Sequence, residues 1–180
     1  DRWNLALFTG FTGIAKIHNA VPVSFRATRM FKSNRHGDRW LAFADAGTGF
    51  SLKEHVQDKI PADILERINA IEQQVAQLPQ EIGHYGLCHG DFHTNNFFVE
   101  ENNIWVFDFD GCAYAHYLYD VASLIQGCFL YGYGAGRDLR TVMEDEILHY
   151  FKIGYTLNHE CDAHFWDNLE LFMMYRAALT

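Results

Sequence analysis

Two short polar segments, each bordered by an apolar run, constrain the fold of this chain more than any other feature. The first is His89-Gly90-Asp91-Phe92-His93-Thr94-Asn95-Asn96, set between Tyr85-Gly86-Leu87-Cys88 and Phe97-Phe98-Val99. The second is Asp108-Phe109-Asp110, which closes the apolar run Ile104-Trp105-Val106-Phe107. Between them lies Glu100-Glu101-Asn102-Asn103, a polar connection of the length that joins antiparallel strands. The pattern predicts a hairpin from residues 97–99 and 104–107. Asn96 enters one strand of it and Asp108 leaves the other, which brings the two to neighbouring strand ends.

Asp91 precedes Asn96 by five residues, and Asp108 follows Asn96 by twelve. Phosphoryl transfer from ATP asks for little covalent chemistry. It needs a carboxylate to orient an acceptor hydroxyl and oxygen ligands to hold magnesium on the phosphates. Asp91, Asn96 and Asp108 have those chemical types in that order. The reading is the centre of a small-molecule kinase, with ATP as phosphoryl donor and Mg2+ as cofactor. His89 and His93 are expected to shape the loop through hydrogen bonds. Asp120 is expected to cap a helix or to pin the loop. Asp110 stays open between a supporting role and a metal contact.

The loop resembles that of the aminoglycoside phosphotransferase and choline kinase-like family, whose pattern is H-G-D-x-H-x-x-N followed by a strand ending in Asp. His89, Gly90, Asp91, His93, Asn96 and Asp108 match it. Tyr119-Asp120-Val121-Ala122 is similar to the family's Asp-x-Ala at the start of the next helix. Weaker likenesses lie at Ala15-Lys16-Ile17-His18 and at Phe151-Lys152-Ile153-Gly154-Tyr155. The resemblance implies Asp91 as catalytic base and Asn96 and Asp108 as magnesium ligands. It implies an α+β, protein kinase-like fold, with residues 1–180 forming the mostly helical C-terminal lobe around a small β-hairpin. The N-terminal nucleotide-binding lobe, with its phosphate-binding Lys, is expected to lie outside the chain, which leaves the fragment inactive. The acceptor would be a hydroxyl of an aminoglycoside, choline or ethanolamine, homoserine or a similar compound.

Three rival readings use the same residues. Ile104 to Gly111 also resembles the nucleophile motif of haloacid dehalogenase-like phosphatases, with Asp108 and Asp110 as the paired acids. Such enzymes need a downstream Lys and a further acidic pair. The sole Lys after Asp110 is Lys152, in a helical pattern. Cys88, His89, His93 and Cys112 offer zinc-type ligands, but without a Cys-x-x-Cys spacing. A non-catalytic kinase-fold binding protein is the third, and the presence of all three site residues weighs against it.

The remainder is helical in pattern. Pro61 can open a helix whose stripe is Ile64, Leu65, Ile68, Ile71, Val75 and Leu78, up to Pro79. Further helices are expected over residues 120–130, 139–151 and from Phe165 through Leu169, Phe172 and Met173 towards the end. Phe8 to His18 carries two glycines and an Ile-Ala-Lys, but Leu7, Phe11, Ile14, Ala15 and His18 follow helical spacing, so Lys16 reads as an ordinary helix residue. Tyr114, Tyr117, Tyr131 and Tyr133 read first as packing or rim residues, and second as an aromatic cage for an ammonium group. Residues 26–50 carry no clear pattern beyond the loop glycines.

With 180 residues the chain is long enough for one sizeable core. Its net charge of −9 argues against nucleic acid as a partner, because phosphate-binding surfaces are basic. The four cysteines are scattered and read as free thiols of a reducing compartment. No membrane-spanning run or signal peptide is expected, and a cytoplasmic location follows from that pattern.

Overall fold

Among the described residues from Pro61 onward, this computed structural model holds two short antiparallel ribbons and four helices. The structure describes residues 15, 18, 60–100, 103–130, 138 and 147–179. The glycine and Lys16 pattern of residues 8–17 therefore lies outside the described residues, apart from Ala15, as do the loops of residues 26–50.

Helix α1 spans Ala62–Ala76. Pro61 stands at its N-cap, where the missing N–H is no loss, and its carbonyl accepts the Leu65 N–H at 3.0 Å. Asp63 in the first turn complements the helix dipole. Ile64 is exposed, the rest of the predicted stripe is half-buried and none of the helix is fully enclosed, so α1 lies on the margin of the core and packs on α4.

Strand β1, Tyr85–Cys88, pairs antiparallel with β4, Ala113–His116, with Tyr85 opposite His116 and Cys88 opposite Ala113. The sequence pattern did not reveal this ribbon: each strand is four residues long, too short to show a period of two. β2, Phe97–Glu100, and β3, Asn103–Val106, form the expected hairpin. It is paired one residue further at the turn than predicted, with Glu100 opposite Asn103, while Phe107 falls outside. Alternation sends Phe97, Val99, Ile104 and Val106 inward. It leaves Phe98 and Trp105, each 53% exposed, as a cross-strand pair on the outer face.

Helix α2, Leu118–Leu130, starts two residues earlier than predicted and forms the middle of the core. Val121, Ala122, Leu124 and Ile125 are fully buried and Cys128 nearly so. Burying one Leu or Ile side chain contributes roughly 1.5–3 kcal/mol, so among the described residues this helix is a major block of hydrophobic stabilisation. α3, Leu148–Thr156, buries Phe151, Gly154 and Tyr155. The predicted helix of residues 139–151 is thus seen from Leu148 and runs on to Thr156, and residues 139–146 are outside the described set. α4, Leu169–Leu179, packs on α2 and α1. Phe165 is not part of α4, contrary to expectation. It sits in the preceding turns, where its ring packs on Tyr155 at 5.3 Å and on Trp166 at 4.8 Å.

Candidate active site

The His89–Asn96 loop leaves β1 and enters β2, and the segment bearing Asp108 leaves β3. Three ties hold the two together. The Phe107 N–H donates to the Asn96 carbonyl at 3.1 Å, continuing the hairpin ladder by one rung. His89 Nε2 donates to the Phe107 carbonyl at 3.0 Å. Gly90, at φ 85°, presses on Gly111, where an added Cβ would fall on the Gly111 carbonyl oxygen. Only glycine meets both demands at position 90.

His89 is buried and its tautomer follows from its partners. A carbonyl can only accept, so Nε2 carries the proton. Nδ1 then accepts the Asp91 backbone N–H at 3.3 Å. The ring is a strut between the loop and the end of β3, as expected of a loop-shaping residue. Its edges pack on Phe92 and Phe109, with centroids at 5.5 and 4.7 Å.

Asp120 pins the loop. Oδ2 accepts the His89 N–H at 2.6 Å and Oδ1 accepts the Gly90 N–H at 2.8 Å, both from within the first turn of α2. Oδ2 also accepts a hydrogen bond from His18 Nε2 at 3.2 Å. His18 Nδ1 is thereby left to accept the Tyr155 hydroxyl at 2.6 Å. Burial holds the His18 ring below its usual pKa, against the opposing pull of Asp120. Tyr117 stacks on His18 at 4.0 Å and donates its hydroxyl to the His18 carbonyl at 3.0 Å, so it is a packing residue rather than part of a cage. Tyr131 and Tyr133 lie outside the described residues.

Asp91 is half-buried at the loop's exposed side. Arg176 Nη2 donates to its Oδ1 at 2.7 Å, and His93 Nε2 lies 3.4 Å from its Oδ2. Burial raises the Asp91 carboxyl, but the His93 hydrogen bond and the Arg176 charge outweigh it, so the group titrates below the ordinary carboxylate value. His93 Nδ1 accepts the Asn95 N–H at 3.2 Å, and a Cβ on Gly127 would stand 2.7 Å from the His93 Cβ. The loop therefore rests directly on α2. Arg176 is the participant that sequence reasoning missed: it belongs to no motif and meets Asp91 from 85 positions away.

Asn96 is buried, and its Nδ2 donates to the Asp91 carbonyl at 2.8 Å. The amide nitrogen is committed, leaving the amide oxygen, the atom type that a hard divalent cation takes. Asp108 is exposed and holds φ 62°, the sole positive φ outside glycine among the described residues. That conformation costs roughly 1–2 kcal/mol for most side chains, though Asp tolerates it better than most, and such outliers concentrate at functional sites. The donor set of Asn96 and Asp108 suits magnesium in atom type. Asp110 falls in the 3-10 turn Phe109–Gly111, directly after Asp108.

The zinc-type set does not come together. Among the described residues the ligand atoms that converge are those of His18, Cys88 and Asp120. Burial, and then the nearby Asp120, pushes the Cys88 thiol well above its usual pKa. The thiol faces the Ala115 and His116 carbonyls at 3.6 and 3.5 Å. With Asp120 engaged by two backbone N–H groups, the trio acts as a polar lock beneath the loop. Lys152, which the phosphatase reading required, is exposed on α3 with its Nζ over the Trp166 ring at 5.8 Å. Among the described residues no helix is long and apolar enough to cross a membrane.

Residues 14–156 match the model of the Phosphotransferase enzyme family, APH. Over 112 residues the chain is 28% identical to the amicoumacin kinase of Bacillus subtilis (strain 168), covering 62% of this chain and 32% of that protein. The fold is similar to that of amicoumacin kinase hAmiN, solved in complex with AMP-PNP, Ca2+ and Ami. The TM-score is 0.73 at 24% identity, over 98% of this chain and 50% of that one. It is also similar to a microcompartment-associated aminopropanol kinase, with a TM-score of 0.58 at 22% identity over 96% of this chain and 51% of that one. The chain thus spans about half the length of the solved relatives and about a third of the curated one.

Proposed function

The chain belongs to the phosphotransferase enzyme family, and from that premise we propose that it is the catalytic half of an ATP- and Mg2+-dependent small-molecule kinase. The observation that carries the reading is the bonded continuity of the three site residues. The Asn96 side chain holds the Asp91 carbonyl, and the Asn96 carbonyl holds the Phe107 N–H next to Asp108. The backbone segments that carry the proposed base and metal ligands are thereby tied to one another.

In the proposed reaction Asp91 accepts a hydrogen bond from the acceptor hydroxyl. It takes the proton as the new bond to the γ-phosphorus forms and the bond to the bridging oxygen breaks, releasing ADP. Asn96 and Asp108 are the residues that would hold magnesium, whose charge neutralises the phosphates. Asp120 and His89 keep the loop in place throughout. We assign the phosphate-binding Lys and the covering loop to an N-terminal lobe outside these 180 residues, which fits the chain's span of about half the solved relatives. We accordingly propose that the 180-residue chain alone turns over little substrate, and robust ATP-dependent turnover by it would overturn that division. An amino-alcohol acceptor fits the net charge of −9 and the aminopropanol kinase among the structural neighbours.

The test is transfer of labelled γ-phosphate by the full-length protein to pooled amino alcohols, aminoglycosides, amino acids and sugars, with Asp108→Asn as control. A labelled product that vanishes in the variant supports the kinase and names the acceptor class. Phosphate release from phosphoesters without any transfer would return Asp108 and Asp110 to the phosphatase chemistry.

A further inference from the structure

We infer that Arg176 is a positioning residue for Asp91, clamping one carboxylate oxygen so that the other is the one presented to the acceptor hydroxyl. The inference rests on the phosphotransferase reading above. Arg176 lies in the last turn of α4 and is only 8% exposed. Its guanidinium forks: Nη2 donates to Asp91 Oδ1 at 2.7 Å and Nη1 donates to the Tyr119 hydroxyl at 2.8 Å. Tyr119 is itself buried in the first turns of α2, with the guanidinium carbon 5.6 Å from its ring centre. One planar group therefore joins the end of α4, the start of α2 and the catalytic loop.

A role confined to packing accounts poorly for this arrangement. Taking a guanidinium out of water is costly, and an apolar side chain would join α4 to α2 at lower cost. The fork makes sense if the orientation of Asp91 is what it secures. A carboxylate turns readily about its terminal torsion, because sp³–sp² torsions are broad. The charge-assisted bond to Oδ1 removes that freedom. Oδ2 has a looser partner in His93 Nε2 at 3.4 Å, so it is the oxygen available to a hydroxyl. A misplacement of about 1 Å at such a group lowers rates by about 100-fold.

The experiment uses the full-length protein with its best acceptor and compares Arg176→Met, Arg176→Lys, Asp91→Asn and the Asp91→Asn/Arg176→Met double variant. We expect Arg176→Met to lower kcat about 100-fold with the KM for ATP nearly unchanged. Arg176→Lys should recover part of that loss, since it restores the charge but not the planar fork. In the absence of the Asp91 carboxylate, Arg176→Met should slow the enzyme no further, because the two residues act as one unit. Wild-type kcat in Arg176→Met, or equal losses with and without Asp91, would overturn the inference. If Arg176→Met fails to fold, Arg176→Lys decides: a lowered kcat at an unchanged Tm supports the clamp, and a wild-type kcat refutes it. Wild-type turnover by Asp91→Asn would instead sink the assignment of Asp91 as base, a separate failure.

Discussion

Asp120 Oδ2 accepts the backbone N–H of His89 at 2.6 Å, a bond that ties the head of the buried helix α2 to the root of the His89–Asn96 loop. The same carboxylate receives Gly90 N–H and the His18 ring, and it has no exposure to water. Asp120→Ala would leave buried donors without an acceptor. We expect a loss on the order of 3–5 kcal/mol in chemical denaturation, with Asp120→Asn intermediate because one amide oxygen can still accept. A change under about 1 kcal/mol would show that water or loop movement replaces the carboxylate readily.

Gly90→Ala should damage the site through backbone geometry alone. The new methyl would meet the Gly111 carbonyl at a positive φ that alanine resists. The loop and the Asp108 segment would have to part. We expect a lower Tm, a destabilisation of at least about 2 kcal/mol, and weakened divalent-cation binding by calorimetry in the full-length protein. Retention of both properties would mean that the contact at Gly111 is soft.

Asp108 separates stability from activity. Its left-handed backbone suits glycine better than any L residue. Asp108→Gly is expected to leave stability unchanged or to raise it by up to about 1 kcal/mol, while turnover falls about 100-fold or more. An active Asp108→Gly enzyme would remove Asp108 from the proposed metal ligands.

The buried histidines make the fold acid-sensitive. Burial, then the neighbouring His84, pushes His116 down to about 4, and burial also lowers His18 and His159. In each case the unfolded state binds the proton more readily, so stability rises with pH and is lost as pH falls below about 6.5. His116 alone should account for about 2 kcal/mol between pH 7 and pH 5. Denaturation curves across that range should flatten in His116→Gln. An equally steep loss in that variant would assign the sensitivity to other groups.

The elements that were legible are those whose signal is local. The hairpin showed itself because two apolar runs, residues 97–99 and 104–107, flank a polar connection of four residues. Helix α1 showed itself through Pro61 and a stripe at helical spacing, and residue type and order are what single out Asp91, Asn96 and Asp108 as the proposed site. Asp120 was placed near the loop by its Asp-x-Ala setting, and the structure chose between the two roles offered for it: it pins His89 and Gly90.

The sequence by itself therefore determined the chemistry available here: a carboxylate, an amide and a second carboxylate at loop positions that phosphoryl transfer can use. Only the tertiary structure decided what aims and steadies those groups. Arg176 reaches Asp91 across 85 positions, His18 reaches Asp120 across 102, and β1 finds β4 through strands of four residues. Such contacts arise when separate helices and ribbons bury one shared core, and the cost of enclosing their polar groups forces each to find a partner. Spacing along a chain records its own periodicity, but it does not record which distant segment will supply that partner.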